Sequence, residues 1–171
     1  TEDVGASERF YAAVFGWTFE RTDALGGRYR LALAGDEAVG GDPDDYLIEL
    51  NEWVWQELWA LEPERAARFY ASLGGAEIER ETDDAGRPYL QLSSGDVGRA
   101  SIRKTLFPDL PPVWIPFLRV ADAGAAAARV RAAGGRLVVE PRADRLDGRV
   151  AICVDSGGAP FGVLAVKKED A

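Results

Sequence analysis

The sequence predicts an α+β fold made of repeated βαβββ modules. The octapeptide "RFYAAVFG" at 9–16 recurs as "RFYASLGG" at 68–75, and the same register continues without a gap to residues 41 and 100. After the same interval, "ARVRAAGGRLV" at 128–138 repeats the end of the helix less closely. Self-similarity at a fixed period indicates stacked copies of one supersecondary unit. We therefore expect three modules in this chain.

Each complete module is predicted to open with a strand. The segments "EWVWQELWAL" (52–61) and "VWIPFLRV" (113–120) alternate in polarity and are enriched in aromatic residues, which is typical of strands. We place these strands over 53–59 and 113–119, at the centre of the fold.

An amphipathic helix follows each strand, over 63–73 and 122–134. Pro63 suits a first helical turn, and the glycine pairs at 74–75 and 134–135 suit C-terminal caps. Because these glycines end helices rather than begin them, they are not predicted to bind phosphate. Turn signals such as "DDAG" and "DSGG" then separate three short strands, which completes the βαβββ order.

The first copy is incomplete. Its helix is predicted from residue 6, so its opening strand is expected before Thr1. The predicted organisation has four parts: a partial module lacking its first strand at 1–41, a linker at 42–51 that could add an edge strand, a complete two-module domain at 52–167, and a tail at 168–171.

Composition excludes several classes of function. The net charge of −9 repels phosphate backbones, so no nucleic acid partner is expected, and no apolar run is long enough to predict a membrane span. The single cysteine, Cys153, cannot form an internal disulfide, which favours a cytoplasmic location, and it is expected to be a small buried hydrophobe. The chain has no histidine, which removes the usual general base and the partner of a nucleophile–base pair.

The order and spacing of these segments carry a resemblance. The helix "PERAARFYASLGG" (63–75) follows a strand, and "DGRVAICVDSGGAPFGVLAV" (147–166) contains a "D..G..FG" turn before its last strand. The chain resembles the vicinal oxygen chelate superfamily of glyoxalases, bleomycin-resistance proteins and extradiol dioxygenases, and is most similar to its double-domain, hydroxylase-like members. The resemblance implies paired modules whose curved sheet encloses a cleft.

Metal-dependent members of this superfamily place ligands on the first and last strands of each module. Counted from the helix and the closing turn, those positions fall on Trp55, on Ile115 or Pro116, on Ala100 and on Gly162. None of these side chains binds a divalent cation. The resemblance therefore implies the fold and the cleft, while no metal and no cofactor are expected.

The cleft is expected to bind a ligand through shape, stacking and charge. Alternation places Trp53, Trp55 and Glu57 on one face, where two indoles and a carboxylate could stack on a flat aromatic molecule or hold a cation. Trp114 and Phe117 are the candidates for the opposite wall. The alternative is that these tryptophans only pack against neighbouring strands.

Charge offers two further interpretations. No lysine or arginine occurs from Leu31 to Glu64, a stretch rich in acidic residues, which would favour a cationic ligand or simply form a solvated surface. Arg99 and Arg103, on the last strand of the second module, could instead hold an anionic ligand or face solvent.

Two functions from different classes follow. The first is a metal-free protein that binds a small aromatic or cationic molecule. The alternative is a hydroxylase-like or lyase-like enzyme of the same superfamily with a non-standard active site, and a third option is a module set retained for protein–protein assembly.

The unpaired first module also predicts an oligomer. Its helix residues Phe10, Tyr11 and Val14 are expected to face their own sheet, as Phe69 and Tyr70 are on the next helix. The open face of that sheet would then be covered in a two-fold homodimer. The alternative is that this module packs on residues 52–167 of its own chain.

Overall fold

The computed structural model describes residues 4–22, 29–34, 37–38, 50–83, 85–107 and 111–165. The elements of these residues are, in chain order, α1 (Val4–Phe15), β1 (Thr18–Thr22), β2 (Tyr29–Ala34), β3 (Glu37–Ala38), β4 (Trp53–Ala60), α2 (Pro63–Gly74), β5 (Glu77–Thr82), β6 (Pro88–Ser94), β7 (Val97–Lys104), β8 (Val113–Val120), α3 (Ala123–Ala132), β9 (Arg136–Val139), a 3-10 turn (Leu146–Gly148), β10 (Val150–Val154) and β11 (Pro160–Ala165).

Within the described residues, eight strands form one curved sheet in the order β5-β6-β7-β4-β8-β11-β10-β9. The opening strands β4 and β8 pair antiparallel at its centre, and each pairs in parallel with the last strand of its own module, β7 or β11. The predicted α+β class, with paired βαβββ modules, is confirmed.

The helix ends follow the capping signals in the sequence. Pro63 opens α2, and Gly75 closes it in the left-handed region at φ 69, with its N–H donating to the carbonyl of Ala71. Asp122 caps α3 by accepting from the backbone N–H of Ala125 at 2.6 Å, and Gly134 has φ 84 just past its end. A carboxylate at an N-cap satisfies a donor that the helix cannot. The helix α3 is shorter than the predicted 122–134.

The helices α2 and α3 cover one face of the sheet, which we call the outer face. Leu58, Ala67, Leu90 and Ile102 pack together beneath α2. The opposite face carries a second apolar cluster of Trp59, Ile115, Phe117, Val139 and Ile152. This opposite face is where the cleft lies.

The first module packs differently from the prediction. Its strands form a separate sheet in the order β1-β2-β3 among the described residues, but α1 lies against α3 and the outer face of β10 and β11. Phe10 and Val14 are 3% and 2% exposed there, in one cluster with Val130 and Phe161. Phe19 of β1 and Ala32 of β2 pack against the same cluster. The helix α1 therefore faces its own sheet as expected, but it also packs on residues of the complete two-module domain.

Polar contacts fix this arrangement. The Tyr11 hydroxyl donates to Asp155 Oδ2 at 3.2 Å, Trp17 Nε1 donates to the carbonyl of Asn51 at 3.0 Å, and Arg129 Nε donates to the carbonyl of Val14 at 2.8 Å. The intrachain alternative of the sequence analysis therefore describes how α1 is covered. A homodimer through the β1–β3 sheet stays a prediction, and a sedimentation mass of 18.5 kDa would rule it out.

Two further expectations have opposite outcomes. Phe69 was predicted to be a core residue but is 57% exposed, because the face of α2 that covers the sheet carries Ala67 and Tyr70 instead. Cys153 is buried, and burial raises the pKa of its thiol to about 12, as an inert core thiol requires.

The predicted linker and tail lie outside the described residues, apart from 50–51. No helix in the described part of the chain is long and apolar enough to cross a membrane.

Candidate functional site

A cleft of about 880 Å³ lies on the face of the sheet away from the helices. One half is lined by the first strand, hairpin and last strand of the second module, and the other by the third module. The lining residues on the first half include Trp55, Glu57, Trp59, Asp83, Arg87, Tyr89, Ser101 and Arg103, and those on the second half include Phe117, Val139, Leu146, Asp147, Val150, Ile152 and Leu164.

A β-bulge in β4 decides which tryptophan faces the cleft. Trp55 pairs with Phe117 and Trp53 with Leu118, so β4 holds one extra residue at this point. A bulge of one residue reverses the side-chain alternation beyond it. Trp53 therefore turns to the outer face, where its ring centroid is 5.7 Å from that of Trp17.

Glu57 is the centre of the polar half. Its Oε1 accepts from Trp59 Nε1 at 2.7 Å, and its Oε2 accepts from Ser101 Oγ at 3.0 Å and from Arg103 Nε at 2.8 Å. Ser101 also accepts from Trp55 Nε1 at 2.9 Å. The buried carboxylate is thus hydrogen-bonded as a buried charge must be, and the Trp55 ring is held in place through Ser101.

Asp83 extends the network to the hairpin of the second module. Its Oδ2 accepts from Arg103 Nη1 at 3.2 Å and from Arg87 Nε at 2.8 Å, and the Arg103 guanidinium lies 5.3 Å from the centre of the Tyr89 ring. Burial alone would raise the pKa of Asp83, but the hydrogen bonds from Arg87 and Arg103 outweigh it and lower that pKa. Burial would lower the pKa of Arg103, but the charges of Glu57 and Asp83 raise it.

The second half of the cleft is apolar and tightly packed around Phe117. The Phe117 ring lies directly on Gly162 of β11, where a Cβ would come within 2.3 Å of two ring carbons. Glycine is therefore required for this close approach. At the lip of the cleft, Leu146 and Asp147 have φ of 46 and 52, a strained conformation for a residue with a side chain.

The structure brings four of the seven predicted site residues into the cleft: Trp55, Glu57, Arg103 and Phe117. Besides Trp53, two others lie elsewhere. Trp114 faces the outer side, where its Nε1 donates to the Tyr70 hydroxyl at 3.0 Å. Arg99 is exposed, because β7 has an irregular register that makes Arg99 an extra residue opposite β6.

Sequence reasoning missed most of the polar cleft residues, among them Asp83, Tyr89 and Ser101. Asp83 and Tyr89 flank the turn of the β5–β6 hairpin, and "DDAG" gave only a turn signal. Ser101 was missed because the same irregularity in β7 shifts the register by one residue, so that Ala100 pairs with Leu92 of the cluster beneath α2. The last-strand position that faces the cleft is Ser101 rather than Ala100.

The described residues of the cleft do not fit the metal ion that the resemblance implies. Both oxygens of Glu57 are engaged by protein donors, and the guanidinium of Arg103 lies against them. Across the described ranges, no three histidine, cysteine, aspartate or glutamate residues form a group that could hold a metal.

The charges of the described residues that line the cleft balance. Four acidic residues, Glu57, Asp83, Asp144 and Asp147, face four basic residues, Arg87, Arg103, Lys104 and Arg145. Half of the acidic residues of the stretch from Leu31 to Glu64 lie outside the described residues. Among the others, only Glu57 lines the described cleft. The cleft therefore gives no support to a preference for cations.

Comparison with known proteins gives two kinds of similarity. No protein-family model matches the chain. Proteins of Mycobacterium bovis and Mycobacterium tuberculosis, both described as "Putative glyoxylase CFP32", are 34% identical over 116 residues, which is 68% of this chain and 44% of theirs. The chain thus spans less than half of the length of these relatives.

Two solved structures are similar to part of this chain. A hypothetical protein of Bacillus halodurans has a TM-score of 0.50 at 14% identity, over 70% of this chain and 97% of that one. Methylmalonyl-CoA epimerase of Mycobacterium tuberculosis has a TM-score of 0.48 at 18% identity, over 74% of this chain and 95% of that one.

Proposed function

Because the chain belongs to the vicinal oxygen chelate superfamily, we propose that its cleft binds a small aromatic molecule without a metal ion. The observation that carries the proposal is the state of Glu57, whose two oxygens accept hydrogen bonds from three protein donors. A carboxylate saturated in this way is a poor ligand for a divalent cation and a poor general base. Binding then depends on shape, stacking and fixed polar groups.

Aromatic side chains support the choice of an aromatic ligand. The Trp55 indole is partly exposed in the cleft, and its N–H is already bonded to Ser101, so its ring is fixed for stacking. An aromatic pair contributes about 0.5–1.5 kcal/mol beyond the area that it buries. The balanced charges favour an uncharged aromatic molecule over a cation.

Calorimetric titration with naphthol as the probe tests this function. We expect binding that survives treatment with EDTA, and metal analysis of the purified chain should find no stoichiometric metal. Trp55→Leu should weaken binding about tenfold, since a lost stacking contact of roughly 1.4 kcal/mol corresponds to that factor. Trp53→Leu, on the outer face of the same strand, is the matched control. Binding that requires an added metal ion would contradict the proposal.

An enzyme is the second candidate, and the similarity to proteins named glyoxylase favours it. A titratable group beside the ligand would then be needed, and Tyr89 is available near Arg103. Burial, followed by the charge of Glu81, raises the pKa of Tyr89, so the phenol is a donor at neutral pH. Conversion of a cleft ligand that Tyr89→Phe abolishes, detected by chromatography, would support this candidate over simple binding.

A further inference from the structure

Arg103 is a cleft residue whose hydrogen bonding within the described part of the chain is incomplete. Its Nε donates to Glu57 at 2.8 Å and its Nη1 donates to Asp83 at 3.2 Å. The third nitrogen, Nη2, has no hydrogen-bond partner among the residues that the structure describes. An arginine side chain offers five N–H donors in one plane, so this group can still donate to a ligand.

The guanidinium is held rigidly. Asp83 accepts at Oδ1 from the backbone N–H groups of Ala85 and Arg87 at 3.0 and 2.9 Å, and Glu57 is fixed by Trp59 and Ser101. The Arg103 side chain is 19% exposed. A donor that is already ordered loses little conformational freedom when a ligand binds, which favours affinity.

Charge defines what this donor would bind. Glu57 and Asp83 oppose Arg103 and Arg87, so the group around the free nitrogen has no net charge. A ligand carboxylate would add an unbalanced negative charge beside two carboxylates in a half-buried site, which is costly. A neutral oxygen acceptor, such as a carbonyl, makes the hydrogen bond without that cost.

We propose that Arg103 is a ligand-binding residue whose free nitrogen donates to a neutral carbonyl oxygen on the aromatic ligand. The ligand class is therefore an aryl ketone, aldehyde or quinone, with its ring against Trp55 and its oxygen toward Arg103. This inference rests on the proposed function and adds the chemical group that orients the ligand.

Three probes of nearly equal shape test the inference by calorimetric titration: naphthyl methyl ketone, its isopropenyl hydrocarbon analogue, and naphthoate. The wild-type chain should bind the ketone about tenfold more tightly than the hydrocarbon, as expected for a hydrogen bond from a charged donor. Naphthoate should bind no more tightly than the ketone.

Arg103→Lys should remove the preference for the ketone while it keeps a positive charge between Glu57 and Asp83, because an ammonium cannot present three planar nitrogens. Arg103→Met should likewise remove the preference for the ketone, and thermal unfolding checks that this variant folds. Arg99→Met, an exposed arginine on the same strand, is the matched control and should bind all three probes as the wild-type chain does.

The outcomes are distinguishable. Equal affinities for ketone and hydrocarbon, or a ketone preference that survives in Arg103→Lys, would overturn the inference and leave the proposed function intact. Naphthoate binding tenfold more tightly than the ketone would overturn the neutral ligand class. If the wild-type chain binds none of the three probes, the proposed function falls and this inference falls with it.

Discussion

Asp83 is a turn residue whose side chain also positions the two arginines of the cleft. It satisfies the backbone of its own hairpin through one oxygen and two arginines through the other. The turn signal "DDAG" was visible in the sequence, but the reach of Arg103 from β7 depends on strand pairing between β6 and β7. The sequence therefore predicted the turn and could not assign the carboxylate to the site.

The lowered pKa of Asp83 predicts a pH-dependent contribution to stability. A group with a depressed folded pKa stabilises the fold above its unfolded pKa of about 3.9, and the contribution is lost as pH falls through the folded value. Asp83→Asn should cost about 2 kcal/mol at neutral pH, and the difference from wild type should shrink below about pH 4. Urea unfolding across this range measures it. The exposed Asp96→Asn is the control, and a gap that stays constant down to pH 3 would contradict the prediction.

In the strands too, the direction of a side chain depends on pairing with neighbouring strands, which a single sequence does not show. The prediction of β4 at 53–59 was close to the observed Trp53–Ala60, and alternation correctly put Trp55 and Glu57 on one face. The prediction for Trp53 was wrong because the β-bulge arises from the pairing of β4 with β8. No residue pattern within β4 indicates this bulge. The prediction for Trp114 was wrong for a simpler reason. Trp114 lies three residues before Phe117 in β8, so the two side chains point to opposite faces of the sheet.

The packing of β8 on β11 gives the second structural prediction. A methyl group at residue 162 would overlap the Phe117 ring, so Gly162→Ala should cost about 2 kcal/mol by overpacking. The double variant Gly162→Ala with Phe117→Leu should recover part of that loss, because the smaller side chain leaves room for the methyl group. Thermal unfolding of the four chains gives the coupling energy.

Gly74→Ala is the matched control for this cycle, since a Cβ there meets nothing within 4 Å. It should leave stability unchanged or slightly raised. Strictly additive losses in the double variant would mean that the Phe117 ring does not depend on Gly162.

At the scale of the whole molecule, the two modules that form the cleft share a fold but differ in the side chains that they contribute to it. The second module contributes the connected charge network of Glu57, Asp83 and Arg103. The third module contributes an apolar wall around Phe117, together with the separate charged residues Asp144, Arg145 and Asp147. A ligand that packs on Phe117 would therefore direct its polar end toward the charge network of the second module. The repeat predicted the shared fold, but the difference between the walls arises from residues at which the copies differ.

The two copies of the repeated helix give the last prediction. Phe10 of α1 and Phe69 of α2 occupy the same repeat position, yet Phe10 is 3% exposed and Phe69 is 57% exposed. Phe10 packs in one cluster with residues of α3, β10 and β11, so α1 should unfold together with the large sheet. Phe10→Ala should then cost about 3–5 kcal/mol of the free energy of unfolding of the whole chain, whereas Phe69→Ala should change it by less than about 0.5 kcal/mol. Urea unfolding followed by tryptophan fluorescence and by far-ultraviolet circular dichroism measures both. Equal effects of the two substitutions, or an early separate transition in the wild-type chain, would show that α1 is not part of the same cooperative unit.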